Sequence, residues 1–236
     1  MKSKKLKHIT FTGVDDFTDI SRMIDIQKKY PLVEFGILLS ENWEKKGKRY
    51  ITPSNLSRLK NVGLNLSCHL CGRIARKAIK NDFSYAMNLC DGVFDIFKRC
   101  QLNVSTMKTS KTIALDLPCN LNEIILQQKS VDECNLFLNN QNNSQISMLL
   151  DASGGRGIDT QIEVFRSTNK IGYAGGISVF NIRNKILTLE NSNEVASYWV
   201  DMESSLRNES DEFDLDIVTT ILQIIEESFN ELYKED

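Results

Sequence analysis

Ile146-Ser147-Met148-Leu149-Leu150 runs straight into Asp151-Ala152-Ser153-Gly154-Gly155-Arg156-Gly157. A short apolar run that stops on a carboxylate and breaks into glycines reads as a strand opening into a tight loop. The pattern recurs downstream. Lys170 to Ala174 is a strand candidate, and Gly172-Tyr173-Ala174-Gly175-Gly176-Ile177-Ser178 carries it into a second glycine turn, with Ser178 to Ile186 expected as the next helix. Reading backwards, His8 to Thr12, Leu32 to Leu39, Gly63 to Leu70, Phe94 to Leu102 and Glu123 to Leu126 are strand candidates. Helical spacing separates them over Asp19 to Lys29 and Ile74 to Lys80, and Thr52-Pro53-Ser54 marks a helix start by its hydroxyl cap and first-turn proline. Reading forwards, Tyr198 to Met202 is an eighth strand. Leu215 to Tyr233 closes the chain as an amphipathic helix with Ile217, Ile221, Ile224 and Ile225 on one stripe.

Strands alternating with helices predict parallel βαβ units, and eight of them predict a single α/β domain over 1–236: a (β/α)8, or TIM, barrel with parallel strands. A Rossmann-like open sheet is the alternative that the count leaves open. No glycine-proline linker splits the chain, and the asparagine-rich stretch Asn139 to Ser144 reads as a surface loop or helix end.

The formal net charge of −2 gives no overall pull toward nucleic acid or anionic lipid. The dense basic run Lys45-Lys46-Gly47-Lys48-Arg49 reads as a solvated loop with Arg49 turned to a ligand. No apolar run approaches the roughly 20 residues of a membrane span. The basic start, Met1 to Lys7, leads into no apolar segment, so a cytoplasmic protein is expected. The six cysteines, at 68, 71, 90, 100, 119 and 134, suit reduced thiols; the Cys68–Cys71 pair has no second motif at zinc-site spacing, and no metal is expected.

In a barrel of this kind, chemistry sits where strands end. Polar residues gather there: Thr12-Gly13-Val14-Asp15-Asp16, Glu34 and Ser40, His69-Leu70-Cys71-Gly72, Gln101-Leu102-Asn103, Gln127, Asp151, then Asp201 and Glu203. Side chains alternate along a strand, so Leu64, Leu66, Cys68 and Leu70 share the face toward the helices and His69 points into the barrel. Such a ring suits a small polar ligand. Burying Glu34, Asp151 and Asp201 unpaired would cost several kcal/mol each, on the order expected for lone charges, so Arg49, Arg156 or a ligand should lie nearby. The two glycine turns, on successive late strands, predict a phosphate cradle of backbone N–H groups, with Ser204 and Ser205 adding donors.

Leu149 to Gly157, followed by Ala174-Gly175-Gly176-Ile177-Ser178-Val179-Phe180-Asn181-Ile182, resembles the late half of phosphoribosylanthranilate isomerase, which reads LLD, a glycine loop and AGGL-x-PENV. Asp201-Met202-Glu203-Ser204-Ser205-Leu206-Arg207 resembles that family's DVSSGVE, and Gly36 to Ser40 with Lys48 to Pro53 resembles its GF-x-F and SPRYVSP. Cys100 to Asn103 resembles its VQLHG. The resemblance implies a cofactor-free Amadori rearrangement of a phosphoribosyl-aminobenzoate. It implies Asp151 as general acid, Arg49 as carboxylate holder, and Gly155, Gly175, Gly176 and Ser204 around the phosphate, to which the glycine loop itself adds Arg156 and Gly157.

The family's general base, a cysteine in KICGIT, does not carry over. This chain reads Thr10-Phe11-Thr12-Gly13-Val14-Asp15, with Thr12 in its place, and a threonine hydroxyl cannot accept a proton near neutral pH. Asn103 and Arg207 also depart from the family's histidine and glutamate. The ligand is therefore expected to share a phosphate end and differ at its reacting end. Asp15, Asp16, His69 or Cys71 are the candidates for a new base, and a Cys71–His69 thiolate–imidazolium pair is conceivable because both share a strand face. Glu34, Asn103, Gln127 and Asp201 complete the expected ligand-facing set. Three functions follow: an isomerase-like enzyme acting on a phosphorylated sugar or phosphoribosyl compound, with Asp151 as acid and Asp15 or His69 as base; a phosphoribosylanthranilate isomerase with a displaced base, as the resemblance implies; or a non-catalytic protein that sequesters a phosphorylated metabolite or nucleotide-like ligand. None calls for a nucleic-acid or membrane partner, and oligomeric state is left open.

Overall fold

A computed structural model describes residues 3, 5–45, 47–104, 117–118, 120–138, 144–164, 166–167 and 169–234. Cys119, Lys46 and most of the asparagine-rich stretch lie outside the described residues. Eight strands run β1 Leu6–Thr12, β2 Val33–Leu39, β3 Leu66–Cys71, β4 Arg99–Asn103, β5 Glu123–Gln128, β6 Ile146–Asp151, β7 Ile171–Ala174 and β8 Tyr198–Met202. They close in sequence order, β1 pairing with β2 and with β8, and every pairing is parallel. Around them lie α1 Ile20–Lys29, α2 Pro53–Leu56, α3 Arg73–Ala78, α4 Ser84–Leu89, α5 Val131–Leu138, α6 Ile182–Asn191 and α7 Leu215–Leu232. This is the expected (β/α)8 barrel rather than an open sheet. Among the described residues no helix is long and apolar enough to cross a membrane.

Three boundaries differ from the sequence pattern, each for a local reason. Asn61 and Gly63 take positive φ, 63° and 75°, which an extended strand excludes, so β3 starts only at Leu66. Phe94–Ile96 is a turn of 3-10 helix, and β4 begins at Arg99. The helix after the second glycine turn starts at Ile182, not Ser178. Asn181 Oδ1 accepts from Ser178 N–H at 2.9 Å and its amide donates to Gly176 O, which holds the intervening residues in a turn. The stripe of α7 is also rotated: Leu215, Val218, Ile221, Leu222, Ile225 and Phe229 are buried, while Ile217 and Ile224 pack at its margin.

Outward-facing strand residues such as Ile9, Phe11, Phe35, Ile37 and Leu70 meet the helices in one continuous core. The inward residues stack in tiers. The lowest tier is ionic: Arg99 donates to Glu34 at 2.8 Å and to Glu123 at 2.7 Å, and Lys170 donates to Glu123 at 2.7 Å. The middle tier is apolar, with Ile125, Leu149 and Trp199. Gly172 makes room there, since a Cβ on it would lie 2.2 Å from the Trp199 ring. Arg99 and Lys170 sit over that ring, 4.7 and 5.4 Å from its centre. The upper tier is polar and forms the floor of the mouth.

Candidate active site

The two glycine turns converge. Gly155 and Gly157 leave β6 with φ of 81° and 65°, and Gly175 and Gly176 leave β7 with 104° and 58°, values open to glycine at little cost. A Cβ on Gly175 would stand 3.3 Å from Asp151 Oδ1 and 2.8 Å from Thr160 Oγ1; one on Gly157 would stand 2.3 Å from Ser204 Oγ. One on Gly176 would strike the backbone of Asp159 at 2.2 Å. The turns thus meet each other and the β8 loop at distances no side chain could share. Between them opens a cleft walled by Ser153, Gly155, Gly157, Gly175, Gly176 and Ser204, with Asp201 and Glu203 at its edge. Behind it, Lys185 from α6 donates to Thr160 O at 2.6 Å and pairs with Asp159 at 2.9 Å, fixing the loop on which Gly176 rests.

Asp151 ends the inner face of β6 and lies directly behind the cleft wall. Oδ1 accepts from Ser153 N–H and Oγ at 3.1 and 2.6 Å; Oδ2 accepts from Gly155 N–H and Gln127 Nε2, both at 2.6 Å. Its partners are amides and a hydroxyl; of the expected partners, Arg49, Arg156 or a ligand, neither arginine pairs with it among the described residues. Its carboxylate is what shapes the first glycine turn. Arg156 donates from Nε to Ser153 O and its side chain lies outside the cleft wall.

Asp201 is the inward carboxyl of β8. Oδ1 accepts from Thr12 Oγ1 at 2.7 Å, and Oδ2 lies 4.0 Å from His69 Nδ1 without a hydrogen bond. Burial pushes its carboxyl well above the usual carboxylate range, against the pull of Thr12, and the nearby Glu203, Glu34 and Asp151 add to the rise. His69 points inward as its strand position demands, but it sits beneath Thr12 and Gly36, 1% exposed, with Nε2 3.2 Å from Ser67 Oγ. Burial lowers its pKa to about 4, with Glu34 opposing, so the ring is neutral at pH 7. Asn103, on the inner face of β4, donates to Cys71 Sγ at 3.4 Å and accepts from Gln101 at 2.8 Å. Cys71 also faces Tyr50.

Two expected site residues lie elsewhere. Glu34 faces inward but belongs to the start of β2, so it joins the ionic tier at the far end of the barrel with Arg99 and Thr10. Asp15 follows β1 at the mouth, yet its oxygens are taken up. Oδ1 accepts from Thr18 Oγ1 and Phe17 N–H; Oδ2 accepts from Arg207 at 2.9 Å and Phe213 N–H at 2.7 Å. It is a buried brace, not a free base. Asp16 accepts from the N–H and hydroxyl of Thr52, the residue that caps α2. Arg49 does reach the mouth, between Glu203 at 3.6 Å and Asp211 at 3.5 Å. Arg99 and Lys185 went unnoticed in the sequence, where each stands within an ordinary strand or helix pattern.

These features define a (β/α)8 barrel with a glycine-walled cleft at the C-terminal end of its strands. Solved structures that it resembles include phosphoribosylanthranilate isomerases. TrpF from Jonesia denitrificans superposes with a TM-score of 0.55 at 13% identity, over 94% of this chain and 98% of that one. The isomerase from Thermotoga maritima gives 0.55 at 13%, over 94% and 99%. A phosphoribosylanthranilate isomerase in complex with reduced 1-(o-carboxyphenylamino)-1-deoxyribulose 5-phosphate gives 0.53 at 14%, over 94% and 100%. At such identities the likeness is one of fold. No protein-family model matches the chain, and no curated protein matches it.

Proposed function

We propose that this protein is a cytoplasmic, cofactor-free enzyme of isomerase type that acts on a phosphorylated sugar or phosphoribosyl compound by proton transfer. The observation that carries the reading is the meeting of the two glycine turns beside Asp151, within contact distance of Ser204. Backbone amides freed by glycine are the usual means of holding a phosphate in this fold. Gly155, Gly157, Gly175, Gly176 and Ser204 would take that end, with Arg156 at the rim.

Proton transfer then falls to the carboxyl groups rather than to Asp15 or His69. Asp201 borders the cleft with its acidity suppressed, so it holds a proton to donate. Asp151 accepts four hydrogen bonds, two from backbone N–H groups and two from the side chains of Ser153 and Gln127. A ligand hydroxyl that displaced Gln127 would bring Asp151 into the reaction as acceptor. Pairing one protonated and one accepting carboxyl is a common route to acid and base chemistry in one site.

A binding protein is the second reading. Thr12 favours it, since the residue in place of the family's cysteine cannot act as a base and already donates its proton to Asp201. Aldose and ketose phosphates incubated in D2O with wild type, Asp151→Asn and Asp201→Asn separate the two. Deuterium uptake with wild type, lost in both variants while the phosphate compound still binds, is the expected result. Binding without exchange in wild type would leave the sequestering role.

A further inference from the structure

The glycine cradle takes up the β6 to β8 side of the mouth, and the opposite side has a distinct charge pattern. Glu203 leaves the end of β8 but leans away from the cradle: a Cβ on Gly13 would lie 3.9 Å from its Cγ, and its carboxylate stands 3.6 Å from Arg49 Nη1. The same guanidinium is 3.5 Å from Asp211. Arg207 is buried and spent on Asp15, Asp211 and the Gly13 carbonyl. Lys48 is bound to Glu212 at 2.7 Å. These described cations of the rim are therefore already matched by acids. Facing them, Asp201 is more than nine-tenths buried at the cleft edge, and its Oδ2 makes no hydrogen bond among the described residues. The base nearest to it, His69, is neutral at pH 7. On this side of the mouth a ligand seated on the cradle thus meets the free edge of the Asp201 carboxyl and the Glu203 carboxylate, while the guanidinium there, Arg49, is already flanked by Glu203 and Asp211.

We infer that Glu203 sets the charge selectivity of this mouth, admitting phosphorylated ligands whose other end bears a protonated amine or hydroxyls and rejecting those that end in a carboxylate. The inference rests on the phosphate cradle of the proposed function. A carboxylate could reach Arg49 only by displacing Glu203 or by lying against it, and like charges at contact repel strongly in a partly desolvated cleft. An ammonium or hydroxyl placed there donates to Glu203, and a hydroxyl also accepts from the protonated Asp201 carboxyl. Glu203 is 39% exposed along its side chain, so its replacement is not expected to disturb folding.

Calorimetric titration tests this with three probes: ribose 5-phosphate, glucosamine 6-phosphate, and the carboxylate-bearing reduced 1-(o-carboxyphenylamino)-1-deoxyribulose 5-phosphate. Wild type should bind glucosamine 6-phosphate more tightly than the carboxylate compound by roughly tenfold or more, the size expected for one well-placed charge. Glu203→Gln should shrink or reverse that ratio, and raised salt should shrink it in wild type. Equal binding of the two in wild type, or an unchanged ratio in Glu203→Gln, overturns the inference while leaving the cradle intact. Failure of all three probes to bind overturns the cradle itself, and the selectivity with it.

Discussion

Thr12 Oγ1 donates to Asp201 Oδ1 at 2.7 Å, closing the β1–β8 seam at the top of the barrel. The two side chains come from neighbouring strands, separated by 189 residues of sequence, and both point inward. Thr12 is fully buried, so its hydroxyl needs an acceptor, and Asp201 is the one within reach. The bond satisfies one oxygen of the carboxyl and leaves the other facing the cleft.

Burial, against the pull of that bond, raises the Asp201 carboxyl so that it keeps a proton the unfolded chain would release above about pH 4. Its folded pKa is raised, so the native state binds more protons than the unfolded state as pH climbs through the window, and stability falls. Asp201→Asn removes that titration and keeps an oxygen for Thr12. The variant should resist urea better than wild type at pH 7 and match it near pH 4. A variant less stable at pH 7 would mean that the native carboxyl is ionised and held there by attraction.

The ionic tier at the barrel's other end titrates in the opposite sense. Burial works against the charges of Glu34 and Glu123, but Arg99 and their other partners together outweigh it: Arg99, His8 and the Thr10 hydroxyl hold Glu34 below the usual carboxylate range, and Arg99 with Lys170 lowers Glu123 to about 2. Folded pKa values below the unfolded ones supply stability above about pH 4.3 that is lost as pH falls toward 2. Arg99→Met strands the buried Glu34 carboxylate and leaves Glu123 to Lys170 alone, a loss of about 3–5 kcal/mol at pH 7 that should shrink on acidification. Denaturant midpoints at pH 7 and pH 3 measure it; an equal loss at both would point to packing against Trp199 instead.

The sequence carried the barrel legibly because each strand is a short apolar run and each run has a polar end. It also carried the convergence of the late glycine turns, since neighbouring strands in a barrel deliver their loops to one place. Glu34 shows where such reading stops. Alternation says that a residue faces inward but not at which end of the barrel, and its partner Arg99 lies 65 residues away in another strand candidate. Asp15 shows the same limit: the arginine that locks it, Arg207, arrives from the β8 loop. Local pattern likewise could not show that Asn181 would hold Ser178 in a turn.

The chain has two histidines, so their ring protons can be followed without ambiguity. Burial is the main cause lowering both to about 4, with Arg99 adding to the effect at His8 and Glu34 resisting it at His69. A folded pKa below the unfolded value of about 6.5 means that protonation favours unfolding. The stability this gives is complete above about pH 6.5 and is lost as pH falls toward 4. Ring NMR titrations should show both midpoints near 4. A midpoint above 6 for His69 would place the ring in water or beside an ionised Asp201.

Gly63 and Gly157 offer a matched pair of substitutions. Both take left-handed φ, 75° and 65°, so alanine carries a similar backbone penalty of roughly 1 kcal/mol at each. Around Gly63, before β3, a Cβ meets nothing within 4 Å; at Gly157 it meets Ser204 Oγ at 2.3 Å and Cβ at 2.9 Å. A hydroxyl can swing aside, but the Cβ contact forces the β6 and β8 loops apart. Gly157→Ala should therefore weaken ribose 5-phosphate binding by about tenfold or more, while Gly63→Ala, similarly destabilised, should bind like wild type. Calorimetry on the two variants, with unfolding midpoints measured alongside, reads the difference. Equal affinities would mean that the contact between Gly157 and Ser204 does not shape the anion site.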